Sequence, residues 1–320
     1  MAPQTSSGKI LIGTRGSPLA LAQANQVRDR LLAAHQDISP DRIAVEVIST
    51  AGDRVLDRPL ADIGGKGLFT KEIEDDLLSG RIAMAVHSMK DMPTELPPGL
   101  VIAAMLPRED PRDAFISLVA DEISALPKGA VVGTASLRRR AQLQNRFPNL
   151  EVVNFRGNVN TRLRKLAEGE VSATFLALAG LRRLDMADKV TAILPTEDML
   201  PAVAQGAVGI ETREDDAATR ALLAPLGDRQ TELCVNAERA LLASLDGSCR
   251  TPIAALAEID QRDGQIDLRA RVIFPDGSRL FEDRCRGAVD DGERLGRELG
   301  DALRAQAGPD FFAALEAFES

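Results

Sequence analysis

The hydrophobic period of this chain switches repeatedly between that of a strand and that of a helix, and this alternation restricts it to one fold class. Short apolar runs at 9–12, 43–48 and 82–86 read as strands. Longer amphipathic stretches at 18–33 and 68–78, the second stopped by Gly80, read as helices. Such alternation implies a mostly parallel sheet covered by helices on both faces. A junction rich in proline and charge, 107–113, precedes a second set, with strands at 114–119, 130–132, 151–154 and 173–177 and helices from Leu137 and Val159. The segment 200–206 reads as a return crossing, after which strand character resumes at 208–211. Two crossings between two α/β lobes predict a hinged pair with a cleft between them.

From about Gly227 the pattern changes. A helix over 231–245 breaks at Asp246-Gly-Ser248. Antiparallel strands follow at 254–259, 265–273 and 279–284, and a helical region at 291–307 closes a small α+β domain. The expected fold is therefore α/β, two doubly wound lobes plus a small C-terminal α+β domain. The expected boundaries are 1–106 with 207–226, then 112–200, then 229–320.

Charge narrows the partners. The 320 residues sum to -9, with 39 basic against 48 acidic side chains, which argues against nucleic acid or an anionic membrane as the main partner. With no Trp, no Tyr and ten Phe there are few rings on which bases can stack. The charge is uneven, however. Residues 130–165 hold eight basic side chains and one acid, so this window carries 8 - 1 = +7 and the rest -9 - 7 = -16. Something anionic is expected there. No run approaches the roughly 18 apolar residues of a membrane span, and the opening MAPQTSSGKI has neither the basic start nor the apolar run of a secretory signal, so a cytosolic location is expected. Three cysteines, Cys234, Cys249 and Cys285, make a disulfide framework unexpected. With no CxxC or HExxH, and with His35 and His87 far apart in sequence, no metal site is expected either.

A short echo locates candidate chemistry. Gly13-Thr-Arg-Gly-Ser17 and Gly133-Thr-Ala-Ser136 each run from a strand through Gly-Thr to a serine at a helix start, where unpaired N–H groups and the helix dipole favour an anion. Simple capping by Ser17 and Ser136 is the plain alternative. Against it, Arg15 beside the first turn and Arg138 with Arg139 inside the second place cations where the dipole opposes them, which a ligand would offset. Arginine's planar fork suits carboxylates. Arg138, Arg139, Arg156 and Arg162 lie at strand-to-helix boundaries, where open α/β sheets collect ligands, whereas Arg140, Arg146 and Arg164 read as ordinary solvated arginines.

Gly64-Gly-Lys-Gly67 lacks the Ser/Thr of a phosphate loop, leaving either a structural turn or a glycine loop that brings Lys66 over a ligand. Lys90 and Asp91 stand just beyond the apolar strand at 82–86. A carboxylate there suits acid/base work and stabilisation of a developing cation, and a cap or local salt bridge is the alternative. His87 reads as a satisfied histidine at the strand end. Cys249, in the polar loop Asp246-Gly-Ser-Cys-Arg-Thr-Pro252, has Arg250 beside it to favour a thiolate.

Together these motifs resemble the hydroxymethylbilane synthase (porphobilinogen deaminase) family. The resemblance rests on Thr14-Arg-Gly-Ser-Pro-Leu-Ala-Leu21, Gly64-Gly-Lys-Gly-Leu-Phe69, Val86-His-Ser-Met-Lys-Asp91, Arg108-Glu-Asp-Pro-Arg-Asp113, Gly133-Thr-Ala-Ser-Leu-Arg-Arg139, Arg156-Gly-Asn158, Leu200-Pro-Ala-Val-Ala-Gln-Gly206 and Gly247-Ser-Cys249, in that order. It implies two periplasmic-binding-protein-like domains and a transferase of porphyrin and haem biosynthesis. That transferase condenses four porphobilinogen molecules head to tail, with loss of ammonia, into 1-hydroxymethylbilane. The resemblance also implies a dipyrromethane cofactor joined to Cys249 by a thioether, with the growing chain attached to it, and Asp91 as the catalytic carboxylate.

Every pyrrole brings an acetate and a propionate. The implied cofactor ligands are Lys90, Thr134, Ser136, Arg138, Arg139, Arg156, Arg162 and Arg183, and the implied substrate ligands are Arg15, Ser17, Lys66, Ser88 and Gln205. Asp62 stands where relatives often have lysine. A monomer is implied, beside the cytosolic location and the absence of a nucleic-acid or membrane partner expected from composition and charge. The competing readings are a non-catalytic anion-binding protein of the periplasmic-receptor type and phosphate or nucleotide transfer at Gly64–Gly67.

Overall fold

A computed structural model describes residues 8–50, 52, 70–245 and 251–319. The chain forms two compact units, Met1–Arg108 with Ala207–Glu232 and Glu109–Gly206 with Leu233–Ser320.

In the first unit, β1 (Ile10–Thr14), β2 (Ile43–Val47), β3 (Met84–Ser88), β4 (Leu100–Met105) and β10 (Val208–Arg213) form a sheet ordered β2-β1-β3-β10-β4. β1 runs parallel to β2 and β3, while β10 is antiparallel to both its neighbours. Strand side chains alternate between faces, so one strand feeds two cores. Ile10, Ile12, Met84, Val86, Val208 and Ile210 pack with Ala24, Val27 and Leu31 of the helix Pro18–Ala34. On the opposite face Ala85 and Ile82 pack with Ile73 and Leu77 of the helix Lys71–Leu78.

The second unit repeats the plan. β5 (Asp113–Ser117), β6 (Val131–Gly133), β7 (Glu151–Val153), β8 (Ala173–Ala177) and β9 (Ala192–Ile193) are ordered β7-β6-β8-β5-β9, again with only the fourth strand reversed. The expected mostly parallel, doubly wound sheets are both present. Periodicity does not show that the reversed strands are β5 and β10, the two that adjoin the crossings, because strand direction depends on where the chain arrives from. β4 and β9 are additions to the expected elements.

Gly133 ends β6 where an added Cβ would lie 2.6 Å from Cγ of Phe155, a ring only 3% exposed. Gly133→Ala is expected to cost about 1–3 kcal/mol through overpacking. Denaturant unfolding measures this, and an unchanged midpoint would mean that the ring moves aside freely.

The same unit carries an antiparallel sheet of β11 (Ile253–Ile259), β12 (Gln265–Ile273) and β13 (Leu280–Ala288), close to the expected bounds. It is flanked by the helices Arg229–Ser244 and Gly292–Glu319. The latter runs past the expected end at 307, breaking at Gly308 (φ 68) before Pro309 restarts it. This sheet is pinned to the doubly wound part of its unit. Leu200 packs with Ala254 and Leu256, and Arg271 donates from Nη1 to Gln142 Oε1 at 3.0 Å.

Candidate active site

In the first unit a pocket of about 100 Å³ opens at the carboxyl ends of β1 and β3, lined by Arg15, Ser17, Gln23, His87, Ser88 and Asp91. Ser17 caps the helix Pro18–Ala34, its Oγ accepting from the Ala20 N–H at 3.2 Å. That helix presents Gln23, whose Nε2 donates to Ser88 Oγ at 2.8 Å. Asp91 closes the single 3₁₀ turn Met89–Asp91, pinned by the buried Met89 and Met92 on either side, so its carboxylate stands exposed at the pocket mouth. Lys90, half-buried, adjoins it. Four of the expected site residues, Arg15, Ser17, Ser88 and Asp91, thus share one pocket.

Behind Asp91 the buried His87 Nε2 meets Glu211 Oε2 at 3.0 Å, the satisfied histidine expected from the sequence. Glu74 is buried nearby. Burial pushes its carboxyl above the usual range and the Glu211 charge adds to this, while Thr70 and His87 oppose it. An acid whose folded pKa is raised favours folding while protonated and costs stability as pH rises through that value. Glu74→Gln is therefore expected to raise the thermal midpoint at neutral pH by about a few degrees and to flatten its dependence on pH above about 4.5. Melting curves across pH check this, and an unchanged profile would contradict it.

The second unit holds the arginines. Ser136 caps the helix Leu137–Arg146, accepting from Arg139 N at 3.4 Å, and Thr134 Oγ1 accepts from Ser136 N at 3.2 Å. Arg138 and Arg139 are each only 4% exposed and both grip Asp113, the buried first residue of β5. Asn158 caps the helix Val159–Ala167 just after Gly157, whose φ of 130 favours glycine, and Arg162 donates from Nε to Gly157 O at 2.8 Å. The Arg162 guanidinium is pushed down to about 10, by burial first and then by the positive fields of Arg139 and Arg156. Arg183 donates from Nη2 to Gly206 O at 2.8 Å, and burial lowers it while Glu109 opposes.

Arg146 and Arg164, read as solvated, pair with Asp198 and Glu168. Gln205 is 1% exposed and donates from Nε2 to Pro111 O at 2.7 Å and Asp113 Oδ1 at 2.8 Å. Asp113 is not singled out by any motif of its own. Its one signal is an acid opening an otherwise apolar strand in a chain with an arginine-rich window to neutralise. Cys249, Lys66 and Asp62 lie outside the described residues. Among the described residues no cluster of His, Cys, Asp or Glu suits a metal ion, and no helix is long and apolar enough to cross a membrane.

The arginine field fits a ligand with several carboxylates. Arg138 Nε and Arg183 Nε are buried without a hydrogen-bond partner, and no carboxylate among the described residues pairs with Arg162. Like charges crowded and desolvated in this way are stabilised by an incoming anion.

The family profile described as porphobilinogen deaminase, dipyromethane cofactor binding domain, matches residues 10–221, and its C-terminal domain profile matches 232–305. The chain belongs to the porphobilinogen deaminase family. Among its relatives, the chloroplastic porphobilinogen deaminase of Oryza sativa subsp. japonica is 54% identical over 98% of this chain and 88% of that protein. The porphobilinogen deaminase of Paracoccus denitrificans is 57% identical over 95% of this chain and 96% of that protein. A periplasmic substrate-binding protein of an ABC transporter from Coxiella burnetii, 12% identical, covers 70% of this chain and 94% of its own with a TM-score of 0.42. The family's cofactor is dipyrromethane, and the membership does not favour the receptor-type alternative.

Proposed function

We infer that this chain is a transferase, a hydroxymethylbilane synthase that joins four porphobilinogen molecules head to tail, releasing ammonia, to give 1-hydroxymethylbilane. The observation that carries the chemistry is the exposed Asp91 carboxylate at the mouth of the pocket lined by Arg15, Ser17 and Ser88. There it accepts a hydrogen bond from the substrate pyrrole N–H. Its charge stabilises the cation that develops on the ring as ammonia leaves the aminomethyl carbon, and it then takes up the proton released when the new carbon–carbon bond forms. Arg15, Ser17, Ser88 and Lys66 are assigned to the carboxylates of the incoming pyrrole, each pyrrole bringing an acetate and a propionate.

Dipyrromethane, bound, supplies the pyrrole carbon on which synthesis begins. Thr134, Ser136, Arg138, Arg139, Arg156, Arg162 and Arg183, with Lys90, are assigned to its carboxylates, where guanidinium N–H groups not already engaged by protein partners give charge-assisted hydrogen bonds. Cys249 is assigned to its thioether attachment, within a C-terminal α+β domain of 229–320. The reading includes a cytosolic monomer with no nucleic-acid or membrane partner, for which sedimentation at the mass of one chain is the expected result. Incubation of the purified enzyme with porphobilinogen is expected to release four ammonia per bilane formed, and substrate consumption without ammonia would refute the assignment.

A further inference from the structure

Asp113 is buried completely, and its two oxygens accept four hydrogen bonds. Oδ1 receives Arg139 Nη2 at 2.7 Å and Gln205 Nε2 at 2.8 Å, and Oδ2 receives Arg138 Nη2 at 2.8 Å and Arg139 Nε at 3.1 Å. A carboxylate with four partners has no lone pair left for a ligand or a transferred proton. Burial raises its carboxyl, but the Arg138 and Arg139 charges and the hydrogen bonds outweigh this and hold it far below the usual range, so it stays ionised. Both arginines have a second anchor. Arg138 Nη1 donates to Leu200 O at 2.7 Å and Arg139 Nη1 to Phe175 O at 2.8 Å. Every nitrogen of these guanidiniums except Arg138 Nε has a hydrogen-bond partner, so two cations and one anion leave a net single positive charge in a rigid frame.

Gln205 reaches Asp113 through an unusual turn. Ala204 has φ 58 and Gly206 φ 92, and a non-glycine residue in the left-handed region is retained only where its surroundings enforce it. Here the Ala204 N–H donates to Glu238 Oε2 at 2.6 Å, and the Gln205 amide spans Pro111 O and Asp113.

We propose that Asp113 and Gln205 act as a positioning pair for catalysis, fixing the Arg138 and Arg139 guanidiniums at the spacing that pyrrole carboxylates require. Gln205 then acts through Asp113, not by touching substrate. The inference rests on the proposed reading of Arg138 and Arg139 as ligands of the cofactor's carboxylates, whose placement sets where the next porphobilinogen docks.

The test is a double-mutant cycle on the full-length enzyme with Gln205→Met, which keeps volume but removes the donor, and Arg139→Lys, which keeps charge but removes the fork. Gln205→Met is expected to raise KM for porphobilinogen about tenfold with a smaller fall in kcat, and to lower the fraction of chains carrying the two-pyrrole mass increment. In the Arg139→Lys background the same change is expected to have little further effect. Asp113→Asn, where it accumulates folded, is expected to shift KM further in the same direction, and Gln205→Met carries the test where it does not. A lower melting midpoint with KM and occupancy unchanged, or effects that multiply independently, would overturn the positioning role. If Arg139→Lys itself leaves KM and occupancy unchanged, the carboxylate-binding reading has failed instead.

Discussion

Asp91→Asn is expected to leave the protein folded and its cofactor attached while turnover falls by about two to four powers of ten. The fold tolerates the change because Asp91 is exposed, and the turn that carries it is held by Met89 and Met92, not by its own side chain. Asparagine keeps the shape and an acceptor oxygen, so substrate binding should change far less than kcat. What is lost is the negative charge opposite a developing cation, and the ability to take a proton. Steady-state kinetics with intact mass spectrometry separates these effects. Near-normal turnover would remove Asp91 from the chemistry, and loss of the cofactor with turnover would move it to a structural role.

Cys249→Ser is expected to abolish the covalent increment of two linked pyrroles and, with it, turnover. A serine hydroxyl is far less acidic than a thiol and forms almost no nucleophilic anion near neutral pH, whereas a thiol of ordinary pKa about 8.5 beside Arg250 does. The chain would then have no covalent starting point for synthesis. Intact mass of the active wild-type enzyme should exceed that of the bare sequence. A bare mass in active enzyme, or a retained increment in Cys249→Ser, would refute the attachment. Substitution of the buried Cys234 is expected to leave the increment in place, which separates anchor from core thiol.

Much of this site was legible in the sequence because its signals are local. A glycine-threonine turn followed by a capping serine is a run of neighbours, and Ser17 and Ser136 both cap helices, the plain alternative that the pattern allowed beside an anion site. The position of Asp91 just past an apolar strand is equally local, although β3 spans Met84–Ser88 where the pattern put 82–86. The arginine cluster was visible as a charge window. Its internal arrangement was not, since nothing in neighbouring residues tells a ligand-facing guanidinium from one held by a distant acid. Arg138 and Asp113 are 25 residues apart, and Arg139 and Asp113 are 26 apart. For the same reason the resemblance offers Gln205 as a substrate ligand, while its amide donates to Asp113.

The sequence by itself therefore determined the fold class, the strand–turn–helix sites and the residue types available for gripping carboxylates, because periodicity, capping and composition are short-range properties of the chain. Tertiary structure alone decided which strands run backwards and which cations are neutralised. The +7 window is one example: Asp113, from outside it, takes up one charge and fixes two arginines in place. Electrostatic energy depends on distance and burial in three dimensions, and neither can be read from position along a chain.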